Sequence, residues 1–254
     1  MRLSPDEGIA VVTGGGSGLG RALVIELSRA GFTVVAIGRR LPAIEETASL
    51  APGSVLPVQL DVADASAVTS AFEKIIEEHG PIALLINNAA VYPQQDILDE
   101  TTESYFETQN VNFGGVVACS LAALKDMTER GKGRILNVAT FADLNPLPGA
   151  SAYSVSKGAA RIFTRALIAD LSDRFPGIVI NDWMPGMLAT EMGIPNGLAP
   201  DAAAKWGAEL AQRMEPSYTG ATFEMDTEIL PPRGLKQKLK DRLFMRARAP
   251  RRLS

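Results

Sequence analysis

GIAVVTGGGSGLGRALVIELSRAG, residues 8–31, divides into three pieces. The β-branched run from Ile9 to Thr13 predicts a strand, and the cluster containing Gly14, Gly16, Ser17, Gly18 and Gly20 predicts a tight turn. Apolar periodicity from Leu19 to Leu27 then predicts a helix. Glycine lets the backbone turn sharply and come close to a pyrophosphate, whose charge is stabilised by unpaired N–H groups and by the positive end of the helix dipole. Strand before and helix after is the setting in which such a cluster binds a dinucleotide.

The rest of the chain repeats this alternation. Further strands are expected at Thr33 to Ile37, Val55 to Leu60, Ile82 to Ile86, Arg134 to Val138, Ile178 to Asn181 and Ala221 to Met225, with longer helical patterns between them. Such alternation predicts an α/β fold of the Rossmann type, a doubly wound parallel seven-stranded sheet with helices on both faces. Ligands of these sheets lie beyond the carboxyl ends of the strands, where the strand order reverses. Gly14, Arg39, Asp61, Asn87, Thr140 and Pro185 all fall just past expected strands.

The stretch SAYSVSKGAA places Tyr153 four residues before Lys157, so a helix brings a phenol and an ammonium side by side. A nearby cation favours the phenolate, which predicts a lowered tyrosine pKa and a usable general acid/base.

With TGGGSGLG, Asp61-Val62, Asn87-Asn88-Ala89, Asn112, Thr140, Tyr153 with Lys157, and Pro185-Gly186 followed by Thr190, the chain resembles the short-chain dehydrogenase/reductase superfamily from residue 8 to about residue 226. The resemblance implies that Tyr153 exchanges a proton with a carbonyl or alcohol oxygen while a nicotinamide exchanges a hydride with the carbon. It implies that Lys157 tunes the phenol and holds the nicotinamide ribose, that Thr140 hydrogen-bonds the substrate oxygen, and that Asn112 anchors a water linking the lysine to solvent. Asn110 is a near alternative to Asn112. It also implies cofactor contacts from Gly14, Gly16, Ser17, Gly18, Leu19, Gly20, Asp61, Val62, Asn88, Ala89, Pro185, Gly186 and Thr190, with Thr190 near the carboxamide.

In a dinucleotide fold an acid after the second strand accepts from the 2′-hydroxyl of NAD, whereas an arginine accommodates the 2′-phosphate of NADP. VVAIGRR carries no acid there, and Arg39, followed by Arg40, predicts NADP, with NAD as the alternative. Three departures from the family pattern stand out: threonine at 140 where serine is usual, Ala90 in place of a glycine, and a short segment from Gly186 to Gly220. Expected pocket walls are Val91, Tyr92, Pro93, Phe141, Leu144, Leu147, Met187 and Leu188, with no cation placed to grip a carboxylate, so the expected substrate is a small, neutral, apolar carbonyl compound or alcohol. A protein that binds NADP(H) without turnover is the rival class; the departures favour it, and the intact Tyr153/Lys157 pair opposes it.

At 254 residues the chain suits one Rossmann catalytic domain over 1–228, followed by a basic tail over 229–254 with nine Lys/Arg and one acid. In the tail Leu235, Leu239 and Leu243 recur among cations; the expected readings are a disordered, solvated end or a segment docking on a neighbouring subunit, with weak contact to an anionic membrane surface as the alternative. The net charge of −4 gives no reason to expect nucleic acid. Cys119, the single cysteine, is expected in the core, and the single histidine, His79, at a solvated helix end, so neither a disulfide nor a metal site is expected. With no basic-then-apolar leader and no membrane-length apolar run, the expected location is the cytoplasm. The resemblance further implies a homodimer or homotetramer pairing through long helices at about Glu103 to Arg130 and Ser151 to Arg174.

Overall fold

The β-branched runs form the sheet in a computed structural model that describes residues 1–230 and 249–253. Its strands are β1 (Ile9–Thr13), β2 (Val34–Gly38), β3 (Val55–Gln59), β4 (Ile82–Asn87), β5 (Gly133–Val138), β6 (Ile178–Met184), β7 (Thr222–Glu224) and β8 (Thr227–Ile229). They pair in the order β3-β2-β1-β4-β5-β6-β7-β8, parallel throughout except for the antiparallel β7–β8 hairpin. Among the described residues the sheet therefore has eight strands where seven were expected. The added strand covers three residues, too few for alternation to show, and its turn runs through Met225 at φ 48°, without the glycine or asparagine that usually marks such a hairpin. The boundary expected after residue 228 falls inside this strand. Leu235, Leu239 and Leu243 lie outside the described residues.

Among the described residues seven α-helices clothe the two faces: α1 (Gly18–Arg29), α2 (Leu41–Leu50), α3 (Ala65–His79), α4 (Thr102–Gln109), α5 (Gly115–Arg130), α6 (Ser151–Leu171) and α7 (Pro200–Ala211). Alternation along β1 sends Ala10 and Val12 into one core with Leu23, Leu27 and Ala208, and Ile9 and Val11 into another with Phe72, Cys119 and Leu167. Every residue of β1 and β4 is buried, as a sheet covered on both sides requires. Cys119 has no exposure and His79 is exposed in the last turn of α3. Among the described residues no helix is long and apolar enough to cross a membrane.

The helix expected from Glu103 to Arg130 is instead two helices joined by a π-helical turn, Asn110–Gly114. Asn112 lies in that turn without exposure, its Oδ1 accepting from the Val91 amide at 2.7 Å and its Nδ2 donating to the Val91 carbonyl at 2.8 Å. Rewinding the turn to a regular α-helix would withdraw this side chain from a backbone that it satisfies at both groups.

Candidate active site

Strand order reverses between β1 and β4, and the expected cofactor residues gather beyond their carboxyl ends. Gly14 has φ +69°, a left-handed conformation that side chains resist. A Cβ on Gly20 would stand 2.0 Å from the Gly14 carbonyl oxygen, so the first turn of α1 closes onto the loop only because that position is bare. Thr13 and Asn88 tie the two strand ends together: Thr13 Oγ1 accepts from the amides of Asn88 and Ala89 at 3.0 Å each, and Asn88 Nδ2 donates to the Thr13 carbonyl at 2.9 Å.

One continuous cleft is lined by Gly14, Gly16, Ser17, Arg39, Asp61, Val62 and Ala89, all expected from the sequence, and by Arg40, Ala90 and Val91. The Arg39 side chain is 60% exposed, and the Asp61 carboxylate stands 4.0 Å from its guanidinium. Asp61 accepts from the Ala63 amide, while the cap of α3 is Asp64, three residues further on. The methyl of Thr190 lies 3.2 Å from where a Cβ on Gly18 would be, which sets it over the glycine turn and the start of α1. Leu19 is buried in the core, and Gly186, after the buried Pro185, turns the chain at φ +88°.

The end of β5 and the first turns of α6 bring Thr140, Tyr153 and Lys157 together. The Thr140 side chain lies close enough to the Tyr153 phenol to favour its ionised form. Lys157 Nζ lies 5.9 Å from the centre of the Tyr153 ring and donates to the Val138 carbonyl at 2.9 Å. Asn112 joins the group through Ser156, donating to Ser156 Oγ at 3.0 Å, which in turn donates to the Tyr153 carbonyl at 2.6 Å.

The electrostatics differ from the sequence expectation. Burial pushes the Tyr153 phenol above its ordinary value, the Thr140 side chain pulls the other way, and Tyr92 and Asp143 push it up again. Tyr92 contributes to that burial, its ring centre 4.5 Å from that of Tyr153. Burial also pushes Lys157 down to about 8, with Asp182 and then Asp143 holding it up. The lowering of the phenol pKa expected from Lys157 does not appear: burial dominates, and the pull downward comes from Thr140. A tyrosine in this condition keeps its proton at neutral pH.

Sequence reasoning did not single out three charged side chains that surround this group. Arg161 and Asp143 form an ion pair with Nε–Oδ2 2.5 Å, their side chains 14% and 4% exposed. Asp182, also buried, accepts from Thr164 Oγ1 at 2.7 Å. Arg161 could have been found, since it lies one helical turn past Lys157 and shares its face. The expected walls Phe141, Leu144, Leu147 and Met187 are 40 to 71% exposed, whereas Leu188 packs against the core.

A family model described as short chain dehydrogenase matches residues 8–199. The chain is 35% identical over 195 residues to the L-xylulose reductase of Mus musculus, covering 76% of this chain and 77% of the relative. It is 35% identical over 197 residues to carbonyl reductase [NADPH] 2 of Sus scrofa, covering 77% of this chain and 78% of the relative. The crystal structure of a short chain dehydrogenase from Bacillus anthracis superimposes with a TM-score of 0.81 at 26% identity, over 88% of this chain and 96% of the other.

Proposed function

The chain belongs to the short chain dehydrogenase family and is an NAD(P)-dependent enzyme acting on CH–OH groups; from that premise we propose that it interconverts a ketone or aldehyde and its alcohol using NADP(H). The observation that carries this reading is the Tyr153 phenol with the Thr140 side chain beside it and the Lys157 ammonium 5.9 Å from its ring centre.

The cleft fits the cofactor. The bare glycine turn before α1 suits a diphosphate, held by Gly14, Gly16, Ser17, Gly18, Leu19 and Gly20. The exposed Arg39 guanidinium suits a 2′-phosphate, which the bracketed NADPH in the pig relative's name also favours. Asp61 and Val62 would take the adenine, Asn88 and Ala89 the length of the cofactor, and Pro185, Gly186 and Thr190 the nicotinamide end. When bound, the nicotinamide supplies or accepts the hydride.

Tyr153 then gives a proton to the developing alkoxide in reduction, or takes one in oxidation. Thr140 donates to the same oxygen and polarises it. Lys157 holds the ribose and, as an ammonium, favours the phenolate left behind. Asn112 keeps the π turn in place, so that Ser156 and the Tyr153 backbone are braced from below. The apolar, exposed side chains of Phe141, Leu144 and Leu147 favour a small, neutral, apolar substrate. Exposed Phe106, Val155 and Ile162 on α4 and α6 support association of two or more copies. A single buried cysteine favours the reducing cytoplasm.

A panel of ketones and secondary alcohols, followed by nicotinamide absorbance, tests the reading. We expect turnover with NADPH or NADP, and in Tyr153→Phe a kcat lower by about 10²–10⁴-fold with cofactor affinity kept. Tight cofactor binding with no turnover on any compound would mark a binding protein instead. In Arg39→Asp the preference should move from NADP toward NAD; an unchanged preference in cofactor titrations would remove Arg39 from the 2′-phosphate site.

A further inference from the structure

We propose that Arg161 is a positioning residue for the Thr140 hydroxyl, acting through the Thr140 carbonyl and the Asp143 carboxylate; this rests on the role given to Thr140 above. From α6, Arg161 Nη2 donates to the Thr140 carbonyl at 2.6 Å and to Asp143 Oδ1 at 2.9 Å, and it reaches Met184 Sδ at 3.5 Å. One planar guanidinium thus holds the chain just past β5, the loop that follows it and the end of β6. Two carboxylate contacts and a carbonyl contact at once suit the fork of arginine, which the single ammonium of lysine cannot reproduce.

The pair is buried, and burying two charges costs desolvation that an apolar pair of equal volume would avoid. Stability alone is therefore a weak reason for its presence. Geometry is a better one. Thr140 stands where the sheet ends and an outward-facing loop begins: Phe141, Leu144 and Leu147 are all exposed, and Thr140 Oγ1 accepts from the Ala142 amide at 3.2 Å within that loop. With the carbonyl held, the Thr140 backbone cannot swing with the loop, and its hydroxyl stays beside the Tyr153 phenol.

Three full-length variants test this. Arg161→Met strands the Asp143 charge and is expected to lower the melting temperature as well as kcat. The double variant Arg161→Met with Asp143→Asn leaves neither member of the pair charged; its melting temperature should return to within a few degrees of the parent while kcat stays at least 10-fold down, with KM for NADPH within about 2-fold. Arg161→Lys should recover part of kcat, because an ammonium can still reach one of the two partners. Parental kcat in the double variant would reduce the pair to a structural contact and overturn the proposal. Amide hydrogen exchange over residues 139–145, measured on the protein without substrate or cofactor, gives a second readout. Exchange at least 10-fold faster in the double variant supports the clamp, and unchanged exchange refutes it. A parent that turns over no compound would defeat the assigned function, and the exchange result would still decide the clamp.

Discussion

Asp182 carries a carboxyl group into β6 near Lys157, at 5% exposure. Its Oδ1 accepts from Thr164 Oγ1, which accepts from Asn137 Nδ2 at 2.9 Å, and Asn137 Oδ1 accepts from Asn87 Nδ2 at 2.8 Å. Burial pushes the carboxyl up to about 6, against the Thr164 hydrogen bond and Arg161. A carboxyl raised above its unfolded value of about 4 binds a proton in the folded state that the unfolded chain lacks between those two pH values. Its contribution to stability is full below about pH 4 and is lost as pH rises through about 6, at about 1.4 kcal/mol for each pH unit crossed. Asp182→Asn removes this dependence. Thermal melts from pH 4 to 7 should show wild type losing stability relative to the variant, by an amount on the order of 2 kcal/mol. Parallel curves would mean that the carboxylate stays ionised throughout. No sequence pattern announces such a group, because an acid at the end of a strand ordinarily reads as a turn or a helix cap.

Among the secondary-structure elements, strands with a β-branched interior were legible to within a residue or two. β1 begins and ends where its run does, whereas β6 continues past Asn181 to Met184. Asp182 ends the sequence pattern there, yet its backbone still pairs with Asn137 on one side and Thr222 on the other. Helix α6 stops at Leu171 instead of Arg174, and Arg174 folds back to donate to the Asp170 carbonyl at 3.0 and 2.7 Å, satisfying one of the carbonyls that a helix end exposes. The π turn between α4 and α5 was illegible for a different reason. Its cause is a side chain bonded to a loop backbone 21 residues earlier, past the end of β4, and local propensity carries no record of that partner.

Across the fold as assembled, the far C-terminus returns to the body that the sequence had separated from it. Leu253 is buried with the α1 and α7 core, and Arg251 pairs with Glu228 at 2.7 Å and stacks 4.0 Å over the Tyr218 ring. Leu253→Ala should cost about 2 kcal/mol, the low end for a buried leucine because a chain end can close over the gap. A melting temperature lower by several degrees would be the sign, and an unchanged one would mean that this end contributes no packing. The basic charge of residues 229–254 had suggested an independent object; the described ends of that segment are held by an acid, an aromatic face and the core.

The glycine turn, the alternating strands and helices, and the i, i+4 tyrosine and lysine were readable from the chain because each depends on neighbours close in sequence: bare backbone, periodicity and helical pitch. The raised phenol, the buried Asp182 and the Arg161–Asp143 pair were not. Desolvation and long-range partners come into being only when β5, β6 and α6 close around one another, and a charge has no perturbed pKa until that closure removes its water.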